Sequence, residues 1–184
     1  LQRIALARES FEIAHQRCLH QVAPTVCPAK PRFSPSPSGQ ALQLSAEARP
    51  LLYHGNLIPN REGALEISFR LPNLPAEGEA KPLVSAGTQG TEGWMMLYAR
   101  NEGVGVFSRG STLTFGDGPP HYVHLQAKAS LEIEKWHRLA VRWRAGGTNQ
   151  GQVALFLDGQ LIEERRNCNL THYFAPSSIG IGCS

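Results

Sequence analysis

Short apolar runs separated by turn residues fill the chain from Gly39 onward. Leu65, Ile67, Phe69 and Leu71 alternate with Glu66, Ser68 and Arg70, the period of a strand with one buried and one solvated face. The alternation returns in Val123, Leu125 and Ala127, which share one side of Tyr122 to Lys128. It returns again in Leu139, Val141 and Trp143, whose run carries Ala140, Arg142 and Arg144 on its other side. Val153 to Leu157 is apolar on both sides, so the pattern predicts a strand covered on both faces. Shorter runs at Leu42 and Leu44, Leu51 to Tyr53, Leu83 to Ser85, Trp94 to Ala99 and Val104 to Ser108 predict further strands. Asn101-Glu102-Gly103 joins the last two as a hairpin. Trp94, Trp136 and Trp143 open or alternate within strand patterns and are assigned to the core.

Asp158-Gly159 separates Leu157 from Gln160-Leu161-Ile162. A two-residue Asp-Gly link between apolar runs predicts a type I′ hairpin, because both central positions need positive φ. Turn signals at this spacing, with no helical pattern between them, predict an all-β, antiparallel, two-sheet sandwich.

The start of the chain has a different period. Ile4, Ala7, Phe11, Ala14 and Cys18 recur three and four residues apart, the narrow apolar stripe of an N-terminal α-helix over residues 1–23. Pro24 ends it. Residues 24–38, with Pro28, Pro31, Pro35 and Pro37, read as an extended, Pro-rich linker. The sandwich then takes residues 39–184. Two readings of the helix stand. It packs on the side of the domain, or it is the soluble half of a longer helix whose apolar start has been removed. The chain opens at Leu1 without a Met, which reads as a trimmed or processed fragment.

The string Trp136-His137-x-Leu139-Ala140-Val141-x-Trp143, then Val153-x-Leu155-Phe156-Leu157-Asp158-Gly159-x-Leu161-Ile162, then Ile179-Gly180-Ile181-Gly182, resembles the laminin G-like and concanavalin A-like jelly rolls. The resemblance covers residues 31–184. It implies a jelly-roll sandwich, with residues 39–44 as its first strand and residues 64–71 as an early core strand. It implies no particular ligand, since one fold hosts many unrelated functions. In that family a further strand usually follows I-G-I-G, whereas this chain ends at Ser184. An open edge invites aggregation, so the N-terminal segment is expected to cover it. A helix leading into a β domain with paired cysteines also resembles a type IV pilin or pseudopilin stem, which implies a filament or membrane-anchored assembly.

Length and charge narrow the function classes. A chain of 184 residues can bury a full core as one domain. A net charge of +3, dispersed and without basic residues interleaved with aromatics, argues against nucleic acid. The four cysteines, Cys18, Cys27, Cys168 and Cys183, fall into two sequence-local pairs. Four allow three connectivities, and spacing alone does not choose among them. Cys18–Cys27 with Cys168–Cys183 is the simplest. A zinc site lacks C-x-x-C or H-x-x-x-H spacing, and free buried thiols are the remaining reading. Disulfides are favoured, and with them an extracellular or cell-surface location.

Candidate chemistry is sparse. Glycosidases of the resembled fold set two carboxylates across a sugar. Glu132 and Glu134 have i, i+2 spacing, but lack the third acidic residue of an E-x-D-x-x-E motif and read as a solvated pair before a strand. The only aspartates are Asp117 and Asp158. Asp158 is explained by its turn, and Asp117 alone is a weak hard-cation ligand, so no metal and no cofactor are expected. His121 and His124 would point to opposite faces of a strand and do not chelate together. Asn169-Leu170-Thr171 matches the N-glycosylation acceptor pattern. Sugar-binding surfaces combine aromatics with amides and guanidinium groups, which singles out Tyr122, His124, Arg109, Arg142 and Arg144. An ordinary solvated sheet face competes for each. The sequence thus predicts an extracellular recognition or adhesion module that is not an enzyme and takes a glycan or an extracellular protein as partner. A carbohydrate-active enzyme of the same fold and a purely structural assembly domain are the alternatives.

Overall fold

The computed structural model describes residues 32–37, 39–43, 51–54, 62–87, 94–109, 122–144, 146, 150–168 and 178–182. The helix expected over 1–23, Cys18, Cys27, Cys183, Asp117, His121 and the Asn169 acceptor pattern lie outside them.

The described residues are all-β. The strands are β1 (Arg32–Ser36), β2 (Gly39–Gln43), β3 (Leu51–His54), β4 (Glu62–Arg70), β5 (Lys81–Ala86) and β6 (Trp94–Arg100). They continue with β7 (Gly103–Arg109), β8 (Tyr122–Lys128), β9 (Trp136–Arg144), β10 (Gly151–Leu157), β11 (Gln160–Cys168) and β12 (Ser178–Ile181). A four-stranded sheet, β11-β10-β9-β4, faces a six-stranded sheet, β3-β12-β5-β6-β7-β8. Every pairing is antiparallel. β1 and β2 form a separate two-stranded ribbon, so Arg32–Ser36, expected within the linker, pairs with Gly39–Gln43.

The hydrophobic period sorts side chains between the faces. Leu139, Val141 and Trp143 of β9 and Val153, Leu155 and Leu157 of β10 point inward. They meet Met95, Leu97, Ala99, Val104, Val106, Val123 and Leu125 from the other sheet. Burying each Leu-sized side chain contributes about 2 kcal/mol. The strand Ser178–Ile181 is interior, held between β3 and β5. Among the described residues, the sheet edge beyond it is β3, built from Leu51–His54.

Two expectations need correction. On β9 it is His137, 5 % exposed, that points inward, while Trp136 is only half-buried with the Arg70 guanidinium 5.6 Å over its ring. Alternation forces one or the other inward, and the inward parity belongs to Leu139, Val141 and Trp143. Cys168, expected in a disulfide, is a buried free thiol whose pKa burial pushes up.

His137 is satisfied there. The Glu132 N–H donates to its Nε2 at 3.1 Å, which leaves Nδ1–H to donate to Asp158 Oδ2 at 2.9 Å. Asp158 Oδ1 also accepts the Arg138 N–H at 2.7 Å. Asp158 and Gly159 have φ of 52° and 83°, the paired left-handed residues of a type I′ turn. The Asp-Gly hairpin and the turn before β9 are thereby tied through one buried imidazole.

Candidate functional site

The parity that sends Met95, Leu97 and Ala99 into the core turns Trp94, Met96, Tyr98 and Arg100 to the outer face of the six-stranded sheet. On β7 the same face carries Gly105 and Phe107, and on β8 it carries His124 and Gln126. Trp94 and Tyr98 are buried on this face without joining the core between the sheets.

Gly105 is what makes the arrangement possible. It is the Cα partner of both Tyr98 and Gln126. A Cβ there would overlap Tyr98 Oη and Cζ, so the Tyr98 ring lies across β7 where a side chain would stand. Its hydroxyl reaches His124 Nε2 on β8 at 2.6 Å. Phe107 flanks the imidazole, with ring centroids 5.7 Å apart, and Trp94 packs on Phe107 at 5.0 Å. The Arg100 guanidinium stacks over the Tyr98 ring at 5.3 Å, a cation–π distance. Arg100 Nη1 lies 3.5 Å from Gln126 Oε1, and among the described residues the buried Arg100 Nε has no acceptor.

This environment sets the charge states. Burial lowers the His124 pKa, and the positive charges of Arg100 and Arg165 lower it further. Burial raises the Tyr98 pKa, against the opposing pull of Arg100. At neutral pH the pair is therefore a neutral imidazole bonded to a neutral phenol. In the tautomer whose Nε2–H donates to the Tyr98 oxygen, the lone pair of Nδ1 is left for a ligand. A half-exposed neutral imidazole held by a buried partner, beside a guanidinium and an amide, can take a proton from a bound molecule whose negative charge the guanidinium holds.

A pH dependence follows. Below the ordinary histidine pKa, near ~6.5, the unfolded chain binds a proton that folded His124 resists. His124's contribution is thus fully present above that pH and is lost as pH falls below it. We expect chemical-denaturation stability to decline on acidification from pH 7 to pH 5, and His124→Gln to flatten part of that slope. An unchanged slope in the variant would remove His124 as its source.

The sequence-selected residues separate. Arg109 and Tyr122 are Cα partners on β7 and β8, with His124 two residues along. Arg142 and Arg144 lie on the outer face of the four-stranded sheet, on the opposite side of the sandwich. Sequence reading missed Tyr98, Arg100 and Gln126. The alternation of β8 places Gln126 with His124, but nothing local brings β6 across β7. Glu132 and Glu134 do not share a strand face. Both lie in the turn before β9, where Glu134 has φ 58°, Glu132 pairs with Lys135, and Glu134 sits 3.7 Å from Arg70. Among the described residues no group of acidic, His or Cys side chains is arranged for a metal.

No family model and no curated protein sequence matches the chain. Solved structures do match in fold. The endo-β-1,4-glucuronan lyase of the fungus Trichoderma reesei superposes with a TM-score of 0.60 at 15% identity, over 89% of this chain and 78% of the lyase. The botulinum neurotoxin serotype G binding domain superposes with a TM-score of 0.61 at 10% identity, over 91% of this chain but 41% of that domain. These likenesses place the chain among jelly-roll-like sandwiches. They also correct the expectation that the domain is not an enzyme. That reading rested on the missing third acidic residue of a glycosidase motif, and the glucuronan lyase is a carbohydrate-active enzyme on the same fold, without that being required of this chain.

Proposed function

We propose that the chain is a carbohydrate-active domain that holds an acidic polysaccharide on the outer face of the six-stranded sheet and cleaves it by β-elimination. The observation that carries this reading is the Tyr98–His124 hydrogen bond of 2.6 Å under the Arg100 guanidinium. A uronate residue presents a carboxylate, an acidic C5–H beside it and a glycosidic oxygen on C4. The terminal nitrogens of the Arg100 guanidinium and the Gln126 amide hold the carboxylate and stabilise the charge that builds as C5 is deprotonated. His124 takes the C5 proton. The C–H electron pair forms the C4=C5 double bond, the C4–O4 bond breaks, and the departing oxygen takes a proton from solvent. Phe107, backed by the buried Trp94, supplies the apolar surface on which a sugar face stacks. Tyr98, which is buried, is a positioning residue that fixes the imidazole. A polyuronate as substrate agrees with the glucuronan lyase as a fold neighbour.

The test is incubation of the purified chain with polyglucuronate and other polyuronates, reading the ultraviolet absorbance of the new double bond conjugated to the carboxylate. We expect unsaturated product, a loss of at least ~10²-fold in His124→Ala, and in Tyr98→Phe a lower kcat with a shifted acid limb of the pH profile. Absence of unsaturated product from every polyuronate sinks the proposal, as does an undiminished rate in His124→Ala.

A further inference from the structure

The outer face of the four-stranded sheet holds a depression of ≈ 230 Å³ that the proposed elimination does not use. Cross-strand register explains why it exists. Glu66, Ala140, Phe156 and Leu161 are successive partners across β4, β9, β10 and β11. Ala64, Arg142, Ala154 and Glu164 form the adjoining row. Alanines at Ala64 and Ala140 leave the sheet surface low between taller neighbours, so the floor is apolar and the walls are Phe156, Arg142, Arg138 and Glu66. Leu161, 54% exposed, extends the apolar surface past Phe156.

The charges are not mutually saturated. Arg138 and Glu66 stand 3.8 Å apart, beyond hydrogen-bonding distance. Arg142 is spread over the Phe156 ring at 5.8 Å. Its row partners Ala64 and Ala154 carry no charge, and among the described residues it forms no ion pair. An exposed guanidinium held against an aromatic ring presents a fixed pair of donors next to an apolar surface. That combination matches a pyranose bearing a carboxylate: the C–H face of the sugar lies on Phe156 and the alanine floor, the carboxylate meets Arg142, and ring hydroxyls meet Arg138 and Glu66.

We infer that this depression is a second binding site, for a uronic-acid residue, on the side of the sandwich opposite the Tyr98–His124 pair. The inference rests on the acidic-glycan reading above. Two sites on opposite faces let one domain grip a polymer, or two neighbouring chains of it, at a place remote from cleavage, and the gain comes from raised effective concentration rather than faster chemistry.

The test is an amide NMR titration with a β-1,4-linked oligoglucuronate and with its carboxyl-reduced counterpart. Resonances of Ala64, Ala140 and Phe156 report the depression, and those of Tyr98, Gly105 and Gln126 report the other face separately. We expect the oligoglucuronate to shift the first group saturably, Arg142→Ala to weaken that binding by ~10-fold or more, and the reduced oligomer to leave those resonances in place. Shifts confined to the Tyr98 face overturn the second site and leave the proposed function standing. Shifts at the depression without any cleavage support the site and sink the proposed elimination. Equal shifts from the reduced oligomer, or undiminished binding in Arg142→Ala, overturn the uronate assignment.

Discussion

Gly105→Ala is expected to lower stability by ~2–4 kcal/mol, in the range of overpacking with loss of a buried contact, and to abolish the Tyr98–His124 hydrogen bond. The added Cβ would overlap the Tyr98 hydroxyl end and lie 2.8 Å from the Leu125 carbonyl oxygen. The ring is able to move and the β8 backbone is not, so Tyr98, 1% exposed in the native fold, has to leave its seat. The steric account predicts non-additivity. In a Tyr98→Ala background the ring is gone, and Gly105→Ala should cost less than it does alone, the residual reflecting the Leu125 oxygen. Urea denaturation of the four proteins of that cycle measures it. Additive costs would show that the ring does not occupy the space above Gly105. Product formation from polyuronate should fall with Gly105→Ala even where the variant remains folded, because His124 then has no partner fixing its orientation.

Asp158→Ala should cost ~2–4 kcal/mol, although the residue sits in an exposed turn. Three losses combine. Buried His137 loses the acceptor of its Nδ1–H, and leaving such a group unpaired costs about 1–3 kcal/mol. The Arg138 N–H loses its bond to Oδ1. Alanine must also hold the φ of 52° that Asp tolerates better. Asp158→Asn keeps an oxygen acceptor and the left-handed preference, and is expected to recover most of the loss. A change below about 0.5 kcal/mol in Asp158→Ala, as for an ordinary surface site, would refute this role. The same carboxylate adds an acid limb. Burial raises its pKa, but the hydrogen bonds from His137 and the Arg138 N–H and the positive charge nearby outweigh that and leave it lowered. Its contribution is therefore present above the ordinary carboxylate pKa, near ~3.9, and disappears as pH falls through the lower folded value. Asp158→Asn should remove that acid limb.

The division between local and non-local information shows in these residues. Asp158 was legible as a turn residue because a two-residue link between apolar runs constrains its own φ. Its bonds to His137 and Arg138 were not, because they join positions about twenty residues apart that meet only when β9 pairs with β10. The inward position of His137 could be derived from the parity of Leu139, Val141 and Trp143. Treating every Trp as core hid it, since aromatic bulk competed with strand phase and phase won. His124 was selected from its strand, yet Tyr98 and Arg100 were passed over, because a ring crossing one strand to reach the next depends on a glycine in the strand between.

By itself the sequence determined the strand periods, the Asp-Gly hairpin, the all-β class and the broad jelly-roll likeness. Each follows from interactions within one strand or across one turn. Only the tertiary structure decided which strands became neighbours. It placed Arg142 and Arg144 on the face opposite His124, laid Tyr98 over Gly105 against His124, opened the depression over Ala64 and Ala140, and gave Cys168 as a free thiol. The physical reason is that an alternating pattern states which side of a strand is buried but not which strand lies beside it. A site assembled from β6, β7 and β8 exists only in that sheet order.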